Sequence, residues 1–132
     1  MFTALANPQQ AYKQAGVDVG ITTADPHQLI LMLFDGALLA VSAASIALDR
    51  NDIEARAQAI TRANDIISNG LKVSLDRNAN AELSDRLAAL YDYICSRLLY
   101  ASLHKHRPAL DEATRLLVEL KAAWEEIGTH EA

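Results

Sequence analysis

The side chains best suited to hold a metal ion in this chain are its four histidines and single cysteine. The run from His104 to Arg107 alternates histidine with Lys and Arg. Residues two apart do not share a face of a helix, and cationic neighbours repel a metal ion, so this run indicates the basic end of a helix. Glu126 and His130 are four residues apart, whereas a di-iron bundle uses Glu-x-x-His pairs. The sequence therefore predicts no metal site.

Nucleophilic and cofactor chemistry has equally little basis in the sequence. Cys95 lies in the apolar sequence of a predicted helix, so we expect an inert, buried thiol. The chain has no Cys-x-x-Cys-His haem attachment, no phosphate-binding loop and no Gly-x-Ser-x-Gly elbow. Asp35 is an isolated carboxylate in an apolar segment, and two interpretations stay open for it, a surface charge or a role in binding. We expect neither an enzyme nor a bound cofactor.

Length and composition define the elements that carry these side chains. The 132 residues correspond to one domain, and 24 Ala and 19 Leu with only five Gly and three Pro favour long helices over a turn-rich β protein. Twelve Lys and Arg against seventeen Asp and Glu give a net charge of -5. This sign is wrong for binding a phosphate backbone, so nucleic acid is not an expected partner.

Helix start and stop signals divide the chain into four long segments. Asp25-Pro26 and Asn51-Asp52 are good starts, the polar residues 76–80 interrupt the pattern, Pro108 begins a last helix and Gly128 ends it. Short connections between matched helices indicate an all-α, antiparallel four-helix bundle over residues 25–128. Residues 1–24 show no lasting periodicity and are interpreted as a loosely attached N-terminal arm of the same domain. The predicted helices span about 26–50, 52–76, 81–105 and 108–127.

Apolar stripes at helical spacing supply a core for three of these helices. The stripe of the second helix is interrupted at Asn64. The predicted core positions are Ile53, Ala57, Ile60, Ile67 and Leu71 in the second helix, Leu83, Leu87, Leu90, Ile94, Leu98 and Ala101 in the third, and Leu110, Ala113, Leu117, Leu120, Trp124 and Ile127 in the fourth.

The first helix is apolar nearly all round, with Asp35 as the one charge between Leu29 and Leu48. Three interpretations compete. Twenty residues are long enough to span a membrane, but three amphipathic helices would then lack a packing partner, so we expect no membrane insertion. The segment is otherwise the central helix of the bundle, buried on every side. In the third interpretation one face is buried and another forms a groove for a foreign helix, which the apolar arm shields.

Cysteine usage and the N-terminus bear on the compartment. One cysteine cannot form an internal disulfide, and the first ten residues, MFTALANPQQ, do not resemble a secretory signal peptide. We therefore expect a reduced, cytoplasmic protein.

The residues around the first predicted helix resemble a known family. Residues 23–37, T-A-D-P-H-Q-L-I-L-M-L-F-D-G-A, resemble the signature of the FliS family of flagellar secretion chaperones, with Asp25 replacing the usual cap serine. The start of the chain resembles the family's N-terminal aromatic pair. The resemblance extends over nearly the whole chain, with further matches at residues 64–76, 90–94, 97–99 and 122–124.

The resemblance implies a cytoplasmic, ATP-independent export chaperone in a motile bacterium. Members of this family bind the C-terminal segment of flagellin, prevent premature polymerisation and present flagellin to the type III export gate. The family's arm covers part of the binding surface until the client displaces it. A homodimer is left open.

The expected binding residues fall into two sets. The arm anchors are Phe2 and Tyr12, and the groove residues, each of which could equally be core, are Leu29, Met32, Leu33, Phe34, Tyr91, Ile94 and Leu98. Two alternatives stay open at this point. One is a binding module for a different amphipathic-helix client, and the other is a bundle that binds a small ligand or metal.

Overall fold

The computed structural model describes residues 25–131, with side chains through Gly128, and these residues contain four helices and no strand. This confirms the all-α expectation. The predicted arm, with Phe2 and Tyr12, lies outside the described residues. The helices are α1, Pro26–Asp49; α2, Ile53–Ile66, which continues as a π-helical segment, Ile67–Leu71, and a 3-10 turn, Lys72–Ser74; α3, Ala81–His104; and α4, Arg107–Glu131.

Side-chain caps fix where the first three helices begin. The carboxylate of Asp25 accepts a hydrogen bond from the Gln28 amide at 2.8 Å, and that of Asp52 accepts one from Ala55 at 3.0 Å. Asn80 caps α3 in the same way, through the Leu83 amide at 3.0 Å. Each cap pairs a backbone N–H that has no partner inside the helix, which is why these starts are visible in the sequence.

The second helix departs from the predicted regular helix in its last third. The backbone widens into a π-helical segment at Ile67 and then tightens into a 3-10 turn. The π segment contains the sequence Ser-Asn-Gly, and these residues have low helix propensity. Gly70 is buried, and its carbonyl accepts a hydrogen bond from the Ser74 hydroxyl at 2.7 Å.

The fourth helix does not end at Gly128, so that part of the prediction is wrong. The helix continues to Glu131. A Cβ atom added to Gly128 would overlap the imidazole of His27, and this ring stacks on Trp124 with centroids 5.0 Å apart. Gly128 therefore permits a close contact between α1 and α4.

Contacts between the helices establish an antiparallel bundle. At one end Arg107, at the start of α4, pairs with Asp49, at the end of α1, at 2.6 Å. At the other end the indole N–H of Trp124 donates to the His27 carbonyl at 3.0 Å. α1 packs against α2 and α4, and α3 packs against the same two helices.

The first helix is buried along one broad face and exposed along another. Leu39 is 73% exposed and Ile46 is 50% exposed, so α1 is not buried on every side. It is long and apolar enough to cross a membrane, but in the bundle it packs against α2 and α4 and buries ten of its residues. Its buried residues are Leu29, Ile30, Leu33, Phe34, Ala37, Ala40, Val41, Ala44, Ala47 and Leu48.

Candidate partner-binding cleft

An apolar cleft of about 200 Å³ opens where the start of α1, the end of α2, the start of α3 and the end of α4 meet. All four helices contribute to it, together with the loop that precedes α3. Its walls are Ile30, Phe34, Leu71, Ser74, Leu75, Asp76, Ala79, Asn80, Leu83, Ser84, Leu87, Tyr91 and Trp124.

The cleft exists because predicted core positions at this end of the bundle lack an internal partner. Leu83 belongs to the core stripe of α3 yet is 51% exposed, and Leu87 is only half-buried. Ile127, the last position of the α4 stripe, is 44% exposed. Apolar positions aligned with a core but open to water indicate a surface that another chain can cover.

The two buried hydroxyls in the cleft wall are already paired within the fold. The Ser74 hydroxyl donates to the carbonyl of Gly70, and the Ser84 hydroxyl donates to the carbonyl of Asp76 at 3.0 Å. Burial raises the pKa of Tyr91 well above its ordinary value, so its ring serves as a neutral wall. The cleft therefore offers mainly apolar contact.

Two of the predicted groove residues line this cleft. They are Phe34 and Tyr91. Met32 is half-buried and packs against the core. The remaining four are at most 2% exposed, belong to the core cluster and do not line the cleft: Leu29, Leu33, Ile94 and Leu98.

The sequence reasoning did not assign the other apolar wall residues to a binding site. Leu83, Leu87 and Trp124 were recognised only as core stripe positions. Their positions near the helix ends could have indicated exposure, because an apolar stripe there can extend beyond the neighbouring residues that cover it. Leu75, beyond the 3-10 turn, had no periodic signal of its own.

Asp35 and Cys95, the two side chains considered for binding or chemistry, both contact other side chains of the bundle. The Asp35 carboxylate pairs with Lys121 of α4 at 2.7 Å. Burial raises the pKa of the Cys95 thiol, which lies 3.6 Å from the Ser68 hydroxyl, so the thiol has little thiolate character. Among the described residues no group of three His, Cys, Asp or Glu side chains is placed to hold a metal ion.

Comparison with known proteins identifies the family. The family model described as "Flagellar protein FliS" matches residues 8–131. The chain belongs to the FliS family. It is 42% identical over 118 residues to the flagellar secretion chaperone FliS of Salmonella typhimurium, an alignment covering 89% of this chain and 87% of the relative. It is 40% identical over 121 residues to the same-named protein of Escherichia coli, covering 92% and 89%.

A more distant relative gives the same assignment. The flagellar secretion chaperone FliS of Bacillus subtilis is 32% identical over 123 residues, covering 93% of this chain and 87% of the relative. These relatives are named as chaperones, and the family membership confirms that the chain is not an enzyme.

Proposed function

We propose that this FliS family member binds the C-terminal segment of flagellin in the cytoplasm, prevents its premature polymerisation and presents it to the type III export gate. The observation that carries the proposal is the open apolar cleft at one end of the bundle, in a chain whose relatives are named flagellar secretion chaperones. The bundle is the rigid platform, and the client supplies the apolar side chains that the cleft lacks.

The size of the cleft favours a peptide over a small ligand. Pockets that enclose drug-sized molecules usually have volumes of about 300–1,000 Å³. The cleft has about 200 Å³ and is open, which suits one or two large side chains of an amphipathic helix. This argues against the alternative of a small-ligand or metal-binding bundle.

Apolar docking also suits a client that must be released again. A disordered segment that folds on binding loses conformational entropy, which lowers the affinity for a given contact area. The chaperone can therefore cover a long apolar stripe without binding it so tightly that export is blocked.

Within this proposal the predicted residues have different roles. Leu83, Leu87 and Trp124 contact the client. Phe34 and Tyr91 line the cleft but are only 2% and 5% exposed, so they meet the client only where it enters the cleft. Met32 lies at the half-buried edge of α1 and adds contact there. The arm residues Phe2 and Tyr12 shield the apolar surface until the client displaces them. Four residues belong to the core that holds the helices of the cleft together: Leu29, Leu33, Ile94 and Leu98.

Calorimetric titration with a peptide of the host's flagellin C-terminal segment tests the proposal. We expect saturable binding with a negative heat-capacity change and a gain of helix by circular dichroism, because apolar surface is buried and the client folds. The stoichiometry shows whether one copy or a homodimer binds each segment. A folded sample that does not bind at tens of micromolar contradicts the flagellin assignment and favours another amphipathic-helix client.

A pair of leucine variants localises the binding. Leu83→Ala removes a cleft side chain that is already half-exposed, so we expect a small change in melting temperature and about five- to tenfold weaker flagellin binding. Leu103→Ala is the matched control, because Leu103 is 71% exposed at the opposite end of the same helix. Equal losses of affinity in the two variants would show that the client does not depend on the cleft.

A further inference from the structure

We propose that the client segment that fills the cleft carries a Lys or Arg beside its large apolar anchor. The inference rests on the proposed function, according to which the occupant of the cleft is a peptide. It adds the chemical character of that peptide, which the proposed function leaves unspecified. The distribution of charge around the cleft supports it.

The excess negative charge of the described bundle is concentrated in the segments that form the cleft. Residues 25–34, 71–92 and 119–128 include every wall residue, and they carry eight Asp and Glu against four Lys and Arg. The remaining residues, 35–70 and 93–118, carry seven of each. An apolar cleft therefore lies in a negative field, and that field favours a cationic ligand.

Within the described residues, the four cations of the cleft-forming segments are already paired with carboxylates. Lys72 pairs with Asp92 at 2.8 Å, and Arg86 pairs with Glu82 at 3.0 Å. Arg77 forms an ion pair with Asp85. The fourth cation, Lys121, pairs with Asp35 at 2.7 Å. An acidic client would have to break one of these pairs to find a partner, whereas a basic client would not.

One carboxylate belongs to the cleft wall itself. Asp76 lies between Leu75 and the loop that leads to Ala79, so its charge borders apolar surface. Its side chain accepts a hydrogen bond from the Asn78 amide at 3.0 Å, and among the described residues no cationic side chain forms an ion pair with it. A client Lys or Arg next to an apolar anchor in the cleft can reach this carboxylate.

The same charge distribution argues against an anionic partner. A peptide rich in Asp and Glu, or the surface of an anionic lipid membrane, would meet a negative field in which the described cations of the cleft-forming segments are already paired. Apolar contact alone would have to overcome that repulsion. Charge complementarity therefore selects a basic, apolar peptide segment.

Two matched peptides test the inference on the full chain. Both are blocked twelve-residue peptides with the same helical leucine stripe, and they differ only in carrying Lys or Glu at four flanking positions. Trp124 is the protein's only tryptophan and lies in the cleft wall, so its fluorescence reports occupancy directly. At low salt we expect the Lys peptide to bind at least about fivefold more tightly, and this ratio to fall in 0.5 M NaCl.

A charge-neutralising variant assigns the preference to the cleft. Asp76→Asn keeps an oxygen that can accept from the Asn78 amide, and we expect it to lower the Lys-to-Glu affinity ratio about two- to threefold. Asp111→Asn is the matched control, because Asp111 is an exposed carboxylate outside the cleft-forming segments. Equal affinities for the two peptides, a preference for the Glu peptide, no binding of either, or equal effects of the two variants would each overturn the inference.

The flagellin titration separates this inference from the proposed function. If the flagellin segment binds while the two peptides show no charge preference, only the present inference fails. If the Lys peptide binds with the expected preference while the flagellin segment does not bind, the proposed client is wrong and the cleft's preference stands.

Discussion

One contact between α1 and α4 involves three residues that fix one another's position: Gly128, His27 and Trp124. The imidazole of His27 lies between the indole of Trp124 and the backbone of Gly128, and the indole N–H donates to the His27 carbonyl. Any side chain at position 128 would push the imidazole away. Because Trp124 is also a cleft wall, this contact links the packing of α1 on α4 to the shape of the binding surface.

Gly128→Ala has two opposing effects on the free energy of unfolding. Alanine is favoured over glycine inside a helix by about 1 kcal/mol, whereas displacing the stacked ring costs a similar amount. We therefore expect little net change in stability and a red-shifted Trp124 emission, because the indole becomes more accessible to water. Chemical unfolding and fluorescence measure the two effects.

A double-mutant cycle provides the control for this prediction. In a His27→Ala background the added methyl group has no imidazole to displace, so Gly128→Ala should stabilise the protein by up to about 1 kcal/mol. The same effect of Gly128→Ala in both backgrounds would show that the ring contact is energetically unimportant.

At the scale of the element, α2 contains several features that lower the stability of a packed helix. Two nitrogens of Arg56 and the side-chain oxygen of Asn64 are buried and have no hydrogen-bond partner. Arg56 was not singled out from the sequence, although it lies on the same face as Ile60 and Ala63 at 7% exposure. The helix then loses its regular hydrogen bonding in the π segment, which ends at the cleft residue Leu71.

The unpaired oxygen of Asn64 makes a stability prediction possible. Asn64→Leu replaces a half-buried side chain, whose oxygen is buried and unpaired, with an apolar group of similar size, so we expect stability to rise by about 1–2 kcal/mol in urea unfolding. Gln58→Leu, an exposed position on the same helix, should change stability by less than about 0.5 kcal/mol. A loss of stability in Asn64→Leu would mean that the amide makes a favourable interaction, for example through ordered water.

At the scale of the whole molecule, stability comes from closing the four helices around one core. Contacts at both ends join α1 to α4, and the buried apolar residues of all four helices form a single cluster. The arm was predicted from residues 1–24 and stays a prediction. If it shields the cleft without contributing to this core, changes in the arm alter client binding and leave the unfolding of the bundle unaffected.

Tyr12→Ala tests that separation. We expect the melting temperature to stay within about a degree or two, since one shielding contact is a small fraction of the stability of the bundle. Affinity for the flagellin segment should change, because the client no longer competes with the tyrosine. A large loss of thermal stability would make Tyr12 a structural anchor of the bundle.

Local signals in the sequence were sufficient to predict the helices and the family. Caps such as Asp25 and Asp52 act through backbone amides three residues away, and helical periodicity reflects one face of one helix, so both can be read without knowing the fold. Residues 23–37, which resemble the FliS signature, can also be recognised without knowing the fold. Gly128 was misread because glycine ends many helices, and only a neighbouring helix revealed its packing role.

The division between core and cleft was decided by the tertiary structure. Leu83 and Leu98 occupy equivalent stripe positions on α3, yet one is half-exposed and the other is fully buried. The difference lies in what α1, α2 and α4 place opposite each residue, and that depends on how far each helix extends along the bundle. Periodicity determines which face of a helix is apolar, whereas only the assembled bundle determines which part of that face is left uncovered for a partner.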